Sequence, residues 1–380
     1  MFVKTVRKGS LVKFCILAGC VAAGWGLLTW PQAASAGISR GLAICSGVII
    51  PSLFPFLVLS GVMIKSGVGD AMGRRLERLT RRIFALPGCC ATAILMGMIG
   101  GFPTGAAAVG ELVACGDITP AQGRRMMCFC VNGGPAFIIS AVGVGMLGSA
   151  ARGAILYAAH IAASLIIGIC CGMTAPKEER ECRAVSRKNV KIKRGESPAS
   201  AFVGAVSDAG RVLAGMCGFI LLFSAVLSML DGMGISDAIT AMAPHGAASI
   251  WRCIVPGFLE VSCGSLEAAA AGELAPLVLG MVMGWGGLSV QCQISSVLRG
   301  RGLITRRFFA FRMIHALLAG LLSLALFMYF PFSVDAPAMS VLQSTGITEA
   351  VIVPASASVA VSIAMLAVCA SAMLAADSAN

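Results

Sequence analysis

The sequence predicts an all-α polytopic membrane protein, and three observations lead to this prediction. Charged residues make up only 12% of the 380 residues, about half of the roughly 25% found in soluble domains. Hydrophobic residues make up 58% and the mean hydropathy is +0.90, so a water-soluble fold would have too little polar surface to cover its core. Apolar stretches of about 20 residues, enough to cross about 30 Å of hydrocarbon, also recur along the chain.

Ten apolar stretches are candidates for contact with the bilayer. Eight of them are predicted to cross it as full spans: residues 14–30, 42–64, 126–147, 155–173, 212–230, 274–298, 308–330 and 359–374. The other two, residues 89–113 and 253–271, are rich in glycine.

The positions of the basic residues indicate whether the two glycine-rich stretches cross the membrane. Twenty-two of the 29 lie in four short segments, at residues 1–13, 65–82, 177–194 and 299–307. If all ten stretches crossed, the third segment would lie outside, against the positive-inside rule. If residues 89–113 and 253–271 instead enter and return as re-entrant hairpins, all four segments become cytoplasmic, and so does Arg312. We therefore expect about eight transmembrane helices, two re-entrant hairpins and two cytoplasmic termini in the cell membrane.

The N-terminal stretch has a second interpretation. A basic start, an apolar run and the small-residue triplet at 34–36 (ASA) are also typical of a signal peptide. Its removal would leave the remaining topology unchanged, so both readings of this segment stay open.

Two short patterns indicate an internal repeat. Residues 101–104 (GFPT) resemble residues 257–260 (GFLE) at an offset of 156. The Gly-Gly break at residues 132–135 (NGGP) resembles the one at residues 285–288 (WGGL) at an offset of 153. In the predicted topology the two units enter the membrane from opposite sides, and inverted repeats with broken helices are typical of secondary transporters. The alternative is that glycine merely permits close helix packing.

The predicted organisation has five parts. They are an N-terminal transmembrane helix (1–37), a first repeat (38–175), a basic cytoplasmic loop (176–200), a second repeat (201–332) and a C-terminal transmembrane helix (333–380).

The breaks carry the candidate binding residues. A helix that restarts at Pro103 would expose the backbone N–H groups of Thr104, Gly105 and Ala106, which together attract an anion. Asn132 offers an amide, and glycine lets a ligand approach the backbone. The predicted substrate-binding residues are Pro103, Thr104, Gly105, Asn132, Gly133, Gly134, Pro135, Glu260, Ser262, Ser289 and Gln291, with Gln293 also polar in the last stretch.

Among the ionisable residues in the spans, Glu260 is the strongest functional candidate, as a group that couples transport to a proton or sodium ion. We interpret His160 and His315 as hydrogen-bonded packing residues without an evident partner, and the 16 cysteines as small packing residues. Metal-ligand spacing, nucleotide-binding motifs and hydrolase motifs are absent from the sequence, so we expect no enzyme activity, cofactor or metal.

Three motifs together resemble a known family: residues 49–61 (IIPSLFPFLVLSG), 100–106 (GGFPTGA) and 132–138 (NGGPAFI). The chain resembles the YlbJ family of sporulation integral membrane proteins, also called stage V sporulation protein V, over roughly residues 38–330. That family belongs with the nucleoside-recognition (Gate) proteins. The resemblance implies a multi-pass protein of endospore-forming bacteria that moves dipicolinic acid across the outer forespore membrane.

The sequence thus favours a permease or secondary transporter for a small organic anion, with dipicolinic acid as the implied substrate. Two alternatives remain open: a nucleoside transporter of the Gate type, and a scaffold or regulatory subunit of the spore envelope that transports nothing. The expected partners are the anion and the lipid bilayer, with a homo-oligomer open and nucleic acid excluded, since no basic domain remains outside the loops.

Overall fold

A computed structural model describes residues 2–65, 68–176, 198–244, 247–298 and 300–330. These residues form helices and connecting turns, with no β-strand among them, as the sequence predicts. The predicted C-terminal span at 359–374 and the basic segment at 177–194 lie outside the described residues.

The described residues of the first half contain eight α-helices and two π-helical pieces. In order they are α1 (Phe2–Thr29), α2 (Pro31–Ile44), a π segment (Cys45–Ile49), α3 (Ile50–Lys65), α4 (Val68–Phe84), α5 (Cys90–Ile99), α6 (Phe102–Ala114), α7 (Pro120–Met126), the π-helix (Ala136–Met146) and α8 (Ala150–Met173).

The described residues of the second half contain eight further α-helices and one 3₁₀ turn. They are α9 (Pro198–Gly232), α10 (Ile235–Ala241), α11 (Ala248–Arg252), α12 (Ile254–Leu259), α13 (Val261–Ala269), the 3₁₀ turn (Gly272–Leu274), α14 (Ala275–Trp285), α15 (Gly287–Val297) and α16 (Arg306–Tyr329).

Within the described residues, four helical stretches are long and apolar enough to cross a membrane: Ala150–Met173, Ala199–Gly232, Gly272–Val297 and Arg306–Tyr329. They correspond to the predicted spans at 155–173, 212–230, 274–298 and 308–330. The predicted span at 14–30 lies in α1, and the one at 42–64 lies in the helical stretch from α2 to α3. The one at 126–147 is interrupted, because residues 127–134 are not helical.

The first glycine-rich stretch folds as a hairpin of two short helices, α5 and α6. The chain turns at Gly100 and Gly101, and Gly101 has φ +84°, a conformation that favours glycine. One turn further on, Gly105 lies so close to Gly97 and to the carbonyl of Cys130 that a Cβ atom would overlap both. Glycine therefore lets the two helices of this hairpin touch backbone to backbone.

The second glycine-rich stretch forms an equivalent hairpin from α12 and α13. Here the chain turns at Glu260, whose backbone is extended, and Gly264 packs directly on Gly257. The helix that follows is also broken, because Gly286 and Gly287 have φ +82° and +75° between α14 and α15.

The same order of elements occurs twice: a long helical stretch, a hairpin, a broken helix and a closing helix. The two long stretches, from α2 to α3 and α9, are 35 residues each, and the closing helices α8 and α16 are 24 residues each. The long stretches run antiparallel, since Gly37 packs on Ala225 whereas Gly61 packs on Ala205. Antiparallel packing of equivalent elements is what inverted repeats require. The boundaries of the five parts stay a prediction.

The glycine contacts lead to a stability prediction. We expect Gly105→Ala and Gly264→Ala each to destabilise the protein by about 1–3 kcal/mol, because a new Cβ would push the hairpin helices apart. Thermal unfolding of the detergent-purified variants measures this effect.

Gly210→Ala in α9 is the matched control, because no atom lies within 4 Å of the added Cβ. We expect it to be neutral or slightly stabilising, since alanine is the better helix former by about 1 kcal/mol. Equal losses in all three variants would contradict the proposed backbone contacts.

Candidate functional site

The tips of the two hairpins meet at a cavity inside the protein. The first tip contributes residues 100–103 and the second contributes residues 260–262. Apolar side chains from the π segment, α3, the π-helix and α9 close the sides, and α15 contributes Val290 and Gln293. The unfilled volume is about 500 Å³, including space open to the outside. The sequence patterns also placed the candidate site at these hairpin tips, and binding at the cavity stays a prediction.

Three polar side chains line this cavity: Glu260, Ser262 and Gln293. Glu260 is buried and caps α13, because its Oε2 accepts a hydrogen bond from the backbone N–H of Cys263 at 2.7 Å. Gln293 is also buried, at 6% exposure, and its Oε1 has no hydrogen-bond partner among the described residues. The sequence analysis noted Gln293 as polar, and only the fold shows that it faces the cavity.

The two hairpin tips differ in how their helix N-termini are capped. In the second tip, the Glu260 carboxylate occupies the N-terminus of α13. In the first tip, Gly101 precedes α6 and provides no side-chain cap. Unpaired N–H groups and the helix dipole attract negative charge at such an end. The cavity is therefore lined by one N-terminus that carries its own carboxyl cap and one that has no side-chain cap among the described residues.

Four of the predicted binding residues line the cavity, namely Pro103, Gly134, Glu260 and Ser262. Thr104 and Gly105 do not line it. The Thr104 hydroxyl donates to the carbonyl of Gly100 at 2.9 Å, and the Gly105 N–H donates to the carbonyl of Gly101 at 3.2 Å. The expectation of a free N–H at Gly105 was wrong, because α6 begins at Phe102, close enough for the Gly105 N–H to reach the Gly101 carbonyl.

The other predicted residues are not among those that line the cavity. Asn132 is buried and donates to the carbonyl of Phe129 at 2.9 Å, and Pro135 begins the turn that leads into the π-helix. Gly133 donates its N–H to a histidine. The side chains of Ser289 and Gln291 are buried, and three of their polar atoms lack a partner among the described residues: Ser289 Oγ, Gln291 Oε1 and Gln291 Nε2.

Arg312 is a central residue whose contacts the sequence analysis did not anticipate. It is 1% exposed and lies between the two units, while its placement on the cytoplasmic side stays a prediction. Its Nη1 donates to the carbonyl of Val131, next to the first break, and its Nη2 donates to the carbonyl of Gly284, next to the second. The positive-inside rule gives no information on these contacts, because it counts charges in loops, whereas Arg312 lies within α16 and points inward.

His160 and His315 join the same cluster, with ring centroids 4.5 Å apart. His315 Nδ1 accepts from Arg312 at 3.3 Å, and its Nε2 donates to the carbonyl of His160 at 3.1 Å. His160 Nε2 accepts from the N–H of Gly133 at 3.0 Å. Because each ring has one nitrogen that accepts, both histidines are neutral. The sequence analysis expected hydrogen bonds but saw no partner for either ring.

The spacing between residues of the two closing helices could have identified the cluster of His160, His315 and Arg312 from the sequence. His160 and His315 are 155 residues apart, and so are Tyr157 and Arg312 (312 minus 157), close to the offsets of the repeat motifs. Tyr157 also donates to a backbone carbonyl, that of Met98, at 3.0 Å. The two closing helices thus place hydrogen-bond donors at equivalent positions.

A comparison with curated proteins finds a similar chain. In an alignment of 316 positions that covers 77% of each chain, the sequence is 27% identical to the sporulation integral membrane protein YlbJ of Bacillus subtilis (strain 168). This similarity supports assignment to the YlbJ family. No family model matches the chain, and no solved structure matches it. Membership of the Gate group therefore stays a prediction, while the similarity to an integral membrane protein and the apolar helices support a membrane location.

The groups around the cavity of this YlbJ-like protein are suited to reversible binding. They comprise a free helix N-terminus, a capped carboxylate, an amide and the aromatic rings of Phe102 and Phe137. Among the described residues, no group of histidine, cysteine and acidic side chains is placed to hold a metal ion. Backbone and amide groups together with apolar walls typically fix the orientation of a small molecule in such a site.

The buried cluster leads to a second stability prediction. We expect His160→Phe to lower the free energy of unfolding by about 1–3 kcal/mol, because the ring fits but the N–H of Gly133 loses its acceptor. Thr174→Val at the exposed end of α8 is the control and should change stability by no more than about 0.5 kcal/mol. Thermal unfolding in detergent compares the two, and equal stability of both variants would argue against the hydrogen bond.

Proposed function

We propose that this YlbJ-family protein is a permease for a small organic anion, with dipicolinic acid during endospore formation as its substrate. The observation that carries the proposal is the cavity between the hairpin tips, which the uncapped N-terminus of α6 faces. Dipicolinate is a planar aromatic dianion, and an aromatic cavity with a free helix N-terminus matches both properties.

The position of the cavity supports transport rather than storage. The cavity lies between two antiparallel units, and each unit contributes one hairpin tip to its wall. In secondary transporters with this plan, one unit rocks against the other around a central site, so that the site opens to each side in turn. Movement of either hairpin would open a path to the cavity.

The charges around the cavity support an anion. The Glu260 carboxyl group already caps the N-terminus of its own helix, because it accepts a hydrogen bond from the N–H of Cys263. The N-terminus of α6 has no such partner from the protein. One substrate carboxylate at α6 would therefore take the place that Glu260 takes at α13, while the pyridine ring packs on Phe102 and Phe137.

A variant of Gln293 tests the cavity as the binding site. We expect Gln293→Leu to reduce uptake of radiolabelled dipicolinate into proteoliposomes at least about tenfold, because the cavity loses its amide. Stability should not fall, since the Oε1 of Gln293 has no partner to lose among the described residues. Ser296→Ala on the exposed side of α15 is the matched control and should transport like the wild type. Unchanged uptake by Gln293→Leu would exclude this cavity.

Glu260→Gln tests ion coupling in the same vesicles. The amide oxygen can still cap α13, so the hairpin should remain folded, but the charge is gone. We expect exchange of dipicolinate to continue while accumulation driven by a proton or sodium gradient is lost. Glu273→Gln in the exposed 3₁₀ turn is the control and should accumulate substrate normally. Loss of accumulation in both variants would show a general defect.

A nucleoside is the second candidate substrate, and the polar lining favours it. A carboxylate and an amide side by side can bind the hydroxyl groups of a sugar and the edge of a base. Excess unlabelled nucleoside separates the two candidates. It should not reduce the uptake of labelled dipicolinate at an anion site, whereas a nucleoside site should not take up dipicolinate at all. Absence of any uptake under proton and sodium gradients would favour a scaffold role.

A further inference from the structure

Arg312 is a buried cation without an anionic partner in the described part of the protein. Its contacts there are two backbone carbonyls, the ring of Phe102 and the neutral ring of His315. None of the ion pairs found among the described residues includes it. Burying a charge is costly unless an opposite charge or a ligand compensates it. Two carbonyls could be satisfied by neutral donors, so hydrogen bonding alone does not explain a charged group at this position.

The cavity lies on the other side of one aromatic ring. The guanidinium carbon of Arg312 is 5.7 Å from the centroid of the Phe102 ring, and Phe102 lines the cavity. In the low-dielectric interior a charge acts over this distance with little screening. A unit charge about 10 Å from a substrate changes the affinity for each substrate charge by about tenfold, if the effective dielectric constant is about 20.

The two carbonyls that Arg312 binds also affect the cavity. Gly284 lies in the last turn of α14, where the helix dipole is negative, and Val131 lies in the non-helical chain before the first break. Both carbonyls would add negative potential near the hairpin tips if they were left bare. By binding these carbonyls, Arg312 offsets their negative potential. The positive N-terminus of α6 then contributes more to the electrostatic potential in the cavity.

We propose that Arg312 is a positioning residue that makes the cavity select anions, through its charge behind Phe102 and its neutralisation of the Val131 and Gly284 carbonyls. This inference rests on the proposed function. It names the residue that determines charge specificity, and Arg312 does so without touching the substrate. His315 and His160 hold the cluster in place and, being neutral, add no charge of their own.

The test compares dipicolinate with pyridine-2,6-dicarboxamide, a neutral molecule of nearly the same shape. Binding of each to the purified full-length protein in detergent is measured by calorimetry or by competition with labelled dipicolinate. The quantity of interest is the ratio of the two affinities, because a general loss of structure weakens both ligands together whereas a loss of charge weakens only the dianion.

Three variants separate charge from structure. Arg312→Gln keeps hydrogen-bond donors for one carbonyl and loses the charge, and we expect the dianion-to-diamide ratio to fall at least about tenfold. Arg312→Lys keeps the charge but loses the fork that reaches two carbonyls, and we expect the ratio to be retained even if thermal stability drops. Arg312→Met is the alternative neutral variant if Arg312→Gln does not purify as a folded protein, since an apolar side chain of similar length is tolerated at buried ionic positions.

The outcomes are distinct. A ratio that falls in Arg312→Gln or Arg312→Met and persists in Arg312→Lys supports the proposal. A ratio unchanged in the neutral variants, or lost in folded Arg312→Lys, overturns it. If the wild type binds neither dipicolinate nor the diamide, the proposed function fails before Arg312 is tested. If the wild type binds both equally, the cavity does not select charge and the inference about Arg312 fails alone.

Discussion

The hydrogen bonds from Arg312 to the carbonyls of Val131 and Gly284 hold the centre of this protein together. Each carbonyl lies beside a break in a helix, where the regular backbone ladder is interrupted. In a lipid environment an unsatisfied carbonyl costs several kcal/mol, so broken helices persist only where the protein supplies partners. One side chain from α16 satisfies both breaks, and it thereby fixes the position of one unit against the other.

The histidines extend this constraint into the backbone of the first unit. His160 accepts the N–H of Gly133, and His315 donates to the carbonyl of His160. His160 Nε2 and His315 Nδ1 both accept, so the other nitrogen of each neutral ring carries the proton. His315 Nε2 donates to the His160 carbonyl, whereas His160 Nδ1 has no hydrogen-bond partner among the described residues. The two rings therefore connect the Gly133 backbone to Arg312 through the backbone carbonyl of His160.

The hairpin tips show how duplicated elements acquire different roles. Both tips depend on glycine contacts at their helix crossings, at Gly97 with Gly105 and at Gly257 with Gly264. The second tip ends in Glu260, which caps its own helix, whereas the first ends in Gly101, which caps nothing. The same backbone thus supplies one helix N-terminus capped by a carboxyl group and one without a side-chain cap, both beside a shared cavity. That asymmetry is the basis of the proposed transport of a dicarboxylate and of the proposed coupling role of Glu260.

The sequence by itself determined the helical membrane class, the two glycine-rich hairpins and the two breaks, because hydropathy, glycine and proline act locally and leave a pattern in the chain. It also indicated the hairpin tips through Pro103 and Glu260. Only the tertiary structure decided which side chains face the cavity, since Gln293 does so while Asn132 and Gln291 do not. Only the tertiary structure placed Arg312 at the centre. From the sequence, a charged residue inside a helix is interpreted as a surface residue, because the carbonyls that it binds cannot be seen.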